Sequence, residues 1–231
     1  MLMLLVVALG VLAATRPVTS VEVRADMALQ SLGWPGATST SIGLTNAAQE
    51  AVGLIVLGVA LVLLVLQGRR FDAVRLLAMA GAAWATAFTI KHIVDRPRPP
   101  ATLWLLPPDP TGSFPSGHAT TAAVIVLITA VLVQHASPAI RVAAVGLAAC
   151  YAAFIGLARV YLGDHYPTDI LASYLTVVAT TMLVTAIANS PQSQRLVARI
   201  PWTPNKAPSP SPEPGIEPDS EQWHVSRRVE R

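Results

Sequence analysis

Apolar residues recur along the chain in long runs separated by short polar stretches. Residues 51–66, 76–90, 119–133, 142–158 and 170–188 contain no charge, and a shorter uncharged run occupies 1–14. With a few flanking residues, each of the five later runs reaches the roughly 20 residues that cross a bilayer core as a helix. Helices satisfy their own backbone hydrogen bonds in lipid, so the pattern predicts an all-α polytopic membrane protein with six transmembrane helices in a bundle. The count falls to five if the first run is the apolar core of a signal peptide. That run lacks a basic leading segment, and Ala13, Ala14 and Thr15 make an indifferent cleavage site, which favours a retained helix.

The polar positions between the runs give an orientation. Arg69, Arg70 and Arg75 follow the second predicted span, Arg141 the fourth, and Arg195 and Arg199 the sixth. By the positive-inside rule these ends are cytoplasmic, and 15–46, 95–118 and 159–168 lie on the extracytoplasmic face of the plasma membrane. Within the first of these, 21–32 sets Val21, Ala25, Ala28, Leu29 and Leu32 on one helical face with Trp34 beyond. An interfacial helix and an ordinary connecting loop both fit. From Pro201 the chain turns proline-rich, with PSPSPEP and mixed charge, and has little to bury. This predicts a transmembrane domain over 1–200 and a disordered cytoplasmic tail over 201–231.

Composition agrees with the pattern: 53% of residues are hydrophobic and 13% charged, against about 25% charged in soluble proteins. The formal charge of +3 sums a basic cytoplasmic edge with cations of the outer clusters, and no nucleic-acid partner is expected. Cys150 is the single cysteine, so it forms no internal disulfide.

Three polar clusters lie at the outer ends of the predicted spans. The first, KHIVDRPRPP at 91–100, puts Lys91 in a last helical turn and Arg98 in a stiff extended segment, because Pro97, Pro99 and Pro100 end the helix. Taken alone, a snorkelling lysine and lipid-binding arginines explain it as well. The second, PSGH at 115–118, has the chemistry of a helix start. Ser116 is the predicted N-cap, and the amides of Gly117, His118 and Ala119 are free to bind an anion. A plain cap with a wet histidine is the alternative. The third, ARVYLGDHYPTD at 158–169, sets Arg159 at a helix end, His165 just before a helix opened by Pro167, and Asp169 in its first turn. Asp169 can fix the His165 tautomer, or merely complement the helix dipole.

Combined on one face, Lys91, Arg98 and Arg159, a helix N-terminus, two histidines and a carboxylate imply an anion site. So many cations argue against a metal. A histidine nucleophile with a second histidine as acid suits phosphoryl transfer.

The spacings K(x6)RP at 91–99, PSGH at 115–118 and R(x5)H(x3)D at 159–169 resemble the type 2 phosphatidic acid phosphatase (PAP2) family, the lipid phosphate phosphatases. The resemblance implies a six-helix membrane phosphatase that needs no metal or other cofactor and works through a phosphohistidine; with the sidedness read from charge, its interfacial active site is expected to be extracytoplasmic. It makes His165 the nucleophile, Asp169 its orienting partner and His118 the acid and base. Lys91, Arg98, Arg159, Ser116 and Gly117 become the phosphate-binding set. Asp95, Arg96, Asp164 and Tyr166 are expected to give support, and His92, His135 and His224 to be incidental. One departure stands in the third motif, where Ala158 occupies a position usually held by serine.

The implied partner is a lipid phosphate among membrane lipids. Undecaprenyl diphosphate leads for a bacterial chain, with phosphatidic acid and phosphatidylglycerophosphate behind it, by family analogy alone. A phosphotransferase using the same phosphohistidine, and a non-catalytic anion or lipid binder or transporter, are the competing classes.

Overall fold

The computed structural model describes residues 2–197, so the predicted tail at 201–231, Arg199 and His224 lie outside the described residues. Among these residues there is no strand. The order is α1 Leu2–Ala13, α2 Arg16–Ser31, α3 Ala37–Asn46, α4 Glu50–Leu66, α5 Arg70–Val94, a 3-10 turn at Ala101–Leu103, α6 Gly117–Leu132, α7 Pro138–Tyr161 and α8 Pro167–Ala188. The short α9, Pro191–Val197, belongs to a separate unit that begins at Pro191.

Three helices, α5, α7 and α8, are long and apolar enough to cross a membrane by themselves. The number rises to five if each of two bent pairs is one span: 6–13 with 18–31, bent by 82°, and α3 with α4, bent by 48°. The sixth expected helix, α6, is apolar but has 16 residues, which gives it a length of about 24 Å at 1.5 Å per residue. Six full-length spans are therefore not what the geometry gives. The apolar run at 119–133 is a short helix, and α1 stops after 12 residues.

Helix α6 contacts α4, α5, α7 and α8, and α8 also receives α1 and α5. Small residues permit the close approach, as Ala60, Ala73, Ala80 and Ala83 are buried between α4 and α5 together with Leu57, Leu64 and Leu76. Where two apolar surfaces meet in lipid, packing and not water exclusion holds them, which favours such residues. Thr176 and Thr180 of α8 are buried and satisfy their hydroxyls on the carbonyls of Ala172 and Thr176. Large apolar side chains instead cover the outside. Leu54, Ile55 and Val62 of α4, Val142, Leu147 and Phe154 of α7, and Met182 and Ile187 of α8 are all exposed. A soluble protein would leave no such continuous apolar surface in water.

Arg69, expected from charge as an inner-edge marker, also closes the end of α6. Its guanidinium donates to the carbonyls of Val131 and Leu132 at 2.6 and 3.2 Å and is held by Asp72 at 2.8 Å. These are carbonyls that a helix C-terminus leaves without partners.

The 21–32 segment is helical, but its polar side faces inward. Glu22 and Asp26, one turn apart, are 5% and 0% exposed, whereas Val21, Met27 and Leu32 are open to the surroundings. Leu29 packs on Val160 and Ile170, and Gln30 donates to the carbonyls of Leu103 and Tyr161 at 2.8 and 2.9 Å. The helix is thereby tied to the end of α7, from which the third polar cluster projects.

Candidate active site

The site is assembled from the C-terminal ends of α5 and α7 and the N-terminal ends of α6 and α8. Lys91 lies in the last turn of α5, and its Nζ donates to the Gly112 carbonyl at 2.7 Å. At Asp95 the chain takes a left-handed conformation, φ 42°, which ends the helix and turns Arg96 inward. Asp tolerates that region better than most residues. The prolines then hold 97–100 outside any helix, and Ser113 runs back alongside, donating its amide to the Arg96 carbonyl at 2.8 Å. Arg98 is fixed by the Thr111 carbonyl at 2.9 Å and by the carboxylate of Asp164.

Phe114, wholly buried against Val6, Ile90 and Ala172, anchors the entry to α6, and its bond to Pro115 is cis. Ser116 is the N-cap, accepting from the Ala119 amide at 3.4 Å, while its carbonyl receives the Ser173 hydroxyl at 2.9 Å. The first amides of a helix have no intrahelical partner, so Gly117 and His118 present theirs outward. A Cβ on Gly117 would come within 3.1 Å of Glu50 Oε1, so the side of α4 closes on this helix end.

Arg159 in the last turn of α7 is 3% exposed and pairs with Asp164, which thus bridges Arg98 and Arg159. Asp109 lies 3.9 Å from Arg98 and 3.8 Å from Arg159. Gly163, φ +74°, makes the turn between the helices. A Cβ there would lie 2.0 Å from the Leu103 carbonyl oxygen, so no side chain fits.

His165 follows, 1% exposed, with Nδ1 3.5 Å from Asp169 Oδ2 and Nε2 3.8 Å from Asp164 Oδ2. The first distance is slightly longer than a formed hydrogen bond, a looseness common in catalytic pairs without substrate. Asp169 is held by the Tyr166 amide at 2.9 Å and by Arg96 at 2.7 Å. Burial, then the charges of Arg159, Arg98, Lys91 and His118, hold the His165 imidazole well below its ordinary value, so it is neutral. Burial also lowers Arg98 and pushes the Tyr166 phenol up to about 12.

His118 is half-buried within the electrostatic reach of Arg159, Arg98 and Lys91, the same three cations that act on His165. All eight residues singled out from sequence thus belong to one neighbourhood. His92 is exposed and packs on Phe88, and His135, exposed, lies at the other end of the fold near Asp72. Among the described residues, no group of three or more His, Cys, Asp or Glu is placed to hold a metal ion. A cavity of about 640 Å³ opens beside the site, lined by Lys91, Gly117 and Glu50 among its polar residues and by Leu54, Trp84 and Phe88 among its apolar ones.

Sequence reasoning did not foresee how much the supporting residues carry. Asp164 joins two of the cations. Arg96 is buried more deeply than any of the three and touches Asp169. No local rule announces this, since two residues i and i+2 of an extended segment share a face, whereas Arg96 turns to Glu22 and Asp169 and Arg98 to Asp164.

Comparison with known proteins agrees with this geometry. Residues 72–192 match the PAP2 superfamily. The decaprenylphosphoryl-5-phosphoribose phosphatase of Mycobacterium tuberculosis is 32% identical over 184 residues, spanning 77% of this chain and 94% of that protein. The crystal structure of the first transmembrane PAP2 type phosphatidylglycerolphosphate phosphatase from Bacillus subtilis is similar with a TM-score of 0.71 and 25% identity, covering 80% of this chain and 93% of that one. Aquifex aeolicus LpxE shares the fold, with a TM-score of 0.58 and 20% identity over 72% of this chain and 95% of its own. The chain belongs to the PAP2 superfamily. It is an all-α membrane protein and, by class, a phosphoric ester hydrolase.

Proposed function

We propose that this protein hydrolyses a lipid-linked phosphate at the extracytoplasmic face of the plasma membrane through a phosphohistidine on His165. The observation that carries the reading is the buried His165–Asp169 pair beside Arg98 and Arg159. Neutral His165, its Nδ1 proton directed at Asp169, attacks phosphorus through the Nε2 lone pair. The bond from phosphorus to the leaving oxygen breaks, and His118 gives that oxygen a proton. His118 then takes a proton from water, whose oxygen attacks the phosphohistidine, and phosphate departs as the His165–phosphorus bond breaks. Lys91, Arg98, Arg159, the Ser116 hydroxyl and the amides of Gly117 and His118 hold the non-bridging oxygens. Donors of this kind are each worth about 10²–10³ in rate. No step calls for a metal.

The cavity, lined by Leu54, Trp84 and Phe88 and reaching Lys91 and Gly117, gives a lipid's chain a place beside the phosphate site. The six-span reading takes α5, α7 and α8 together with the shorter α1, α4 and α6 as the crossings, with α2 at the outer surface. Arg69, Arg70, Arg75, Arg141 and Arg195 mark the cytoplasmic edge. Relatives named for decaprenylphosphoryl-5-phosphoribose and phosphatidylglycerolphosphate favour a phosphate ester on a lipid-linked headgroup, with undecaprenyl diphosphate as the diphosphate alternative.

The test is phosphate release by the full chain in detergent, with excess chelator, across lipid monophosphates and diphosphates. Release from at least one lipid phosphate is expected. A requirement for added Mg²⁺ or Zn²⁺ would overturn the mechanism.

A further inference from the structure

Arg96 is 1% exposed, and its guanidinium is almost fully engaged on both sides. Nη1 donates to Asp169 Oδ1 at 2.7 Å and to the Thr168 hydroxyl at 2.9 Å. Nη2 donates to Glu22 Oε2 at 2.6 Å and to the Ala13 carbonyl at 2.7 Å. The Tyr166 ring lies 3.9 Å beneath it. Glu22 completes a circuit, since its Oε1 accepts from the Thr168 amide at 2.9 Å and the Thr168 hydroxyl at 2.7 Å.

A carboxylate from α2, far from the three motifs in sequence, therefore reaches the first turn of the helix that carries Asp169. Arg96 is too enclosed to touch a phosphate, and its position behind Asp169 does not serve the anion site. We propose that Glu22 is a positioning residue for the reaction: acting through Arg96, it fixes the Asp169 carboxylate and sets how well His165 attacks. The proposal rests on His165 being the nucleophile.

One positive charge is shared between two carboxylates. With Glu22 ionised, Arg96 divides its charge between two carboxylates, and Asp169 keeps enough negative charge to hold the Nδ1 proton of His165. When the ring is phosphorylated on Nε2 it becomes cationic, and that charge is what Asp169 must stabilise. If Glu22 is neutralised, the charge of Arg96 falls on Asp169 alone and the imidazole becomes a weaker base. The other groups facing His165 are Asp164 and the cations Arg159, Arg98 and Lys91, with His118. Those facing Arg96 are Glu22, Asp169, Tyr166 and also Asp26, wholly buried with both oxygens unpartnered. Glu22 is also among the charges that raise Asp26 and Tyr166, so Asp26→Asn is measured beside Glu22→Gln, and a wild-type profile in Asp26→Asn assigns the effect to the route through Arg96.

The experiment measures kcat, KM and the pH profile of Glu22→Gln on dioctanoyl phosphatidic acid in detergent micelles, beside wild type and His165→Ala. Partners that orient a reacting histidine carry about 10–100-fold when lost, judging by those behind metal-bound histidines. Glu22→Gln is expected to lower kcat by such a factor, to leave KM within about twofold, and to move the acid limb to lower pH. Loss of folded protein alone would scale kcat without moving that limb, which overturns the proposal, as does a wild-type profile while His165→Ala is inactive. Hydrolysis by His165→Ala would overturn the nucleophile reading and this one with it. Should Glu22→Gln not fold, Thr168→Val, which removes one hydrogen bond from each side of the Glu22–Arg96 pair, is read by the same criteria.

Discussion

The Nδ1 atom of His165 stands 3.5 Å from Oδ2 of Asp169, one helical turn on, and both side chains are shut off from solvent. Because the Tyr166 amide and Arg96 hold the carboxylate from other directions, it has little freedom to turn away. An amide in its place could present a donor to Nδ1 and stabilise the wrong tautomer. Asp169→Asn is expected to lower kcat on the order of 10⁴-fold, as the equivalent change does in a serine protease triad. Phosphate release by the folded variant checks it.

The depressed His165 makes two pH predictions. Free enzyme keeps a neutral nucleophile well below the ordinary histidine value of about 6.5, so the acid limb of kcat/KM attributable to His165 should lie below that value. For stability, the folded state resists protonating this ring while the unfolded chain does not. The contribution is therefore complete above about pH 6.5 and is lost progressively as pH falls below it toward the folded value. Thermal unfolding in detergent across pH should show this dependence, and His165→Phe should lose its share of it.

Asp164 bridges Arg98 and Arg159 while itself 2% exposed. Its removal leaves two largely buried guanidiniums without their shared counter-charge, a change that costs about 3–5 kcal/mol for a broken buried pair. Asp164→Ala is expected to unfold at lower temperature than wild type. Millimolar inorganic phosphate should recover part of the loss by taking the carboxylate's place. An unchanged midpoint would contradict the bridging role.

Gly163 carries φ +74° with the Leu103 carbonyl where a Cβ would be. Gly163→Ala must leave that conformation or shift the Leu103 turn, and left-handed backbone alone costs about 1–3 kcal/mol in a residue with a side chain. Since His165 lies two residues on, activity should fall further than the yield of folded protein. Specific activity after gel filtration separates the two.

Much of the site could be read from the chain because its parts are local. Lys91 at a helix end, the Ser116 cap, Pro167 opening α8 and Asp169 in its first turn each follow from short-range rules of helix termini, and the structure has them all. Helix types were legible for the same reason, through uncharged runs. What the pattern did not give was helix length and the partners of the polar faces. The run at 119–133 yields a 16-residue helix, because the Ser116 cap and the break after Leu132 bound it on both sides. On α2 the helix and its exposed apolar stripe of Val21, Ala25, Ala28 and Leu32 follow the interfacial-helix pattern, but the inward-pointing Glu22 and Asp26 do not show in it. A helix beside lipid has an apolar outside, so its polar residues seek partners within, and nothing local to 21–32 announces Arg96 as that partner. For Asp164, expected as a supporting residue, the partners were hidden likewise, because Arg98 lies in the extended segment after α5 and Arg159 at the end of α7.

Hydrolysis through a phosphohistidine requires that phosphorus become bonded to His165. Protein mixed with excess lipid phosphate and quenched in alkali, which preserves phosphohistidine, would be digested and its peptides analysed by mass spectrometry. Phosphate is expected on the peptide bearing His165 and absent from His165→Ala. Undiminished hydrolysis by His165→Ala, with no phosphorylated histidine in wild type, would contradict the account.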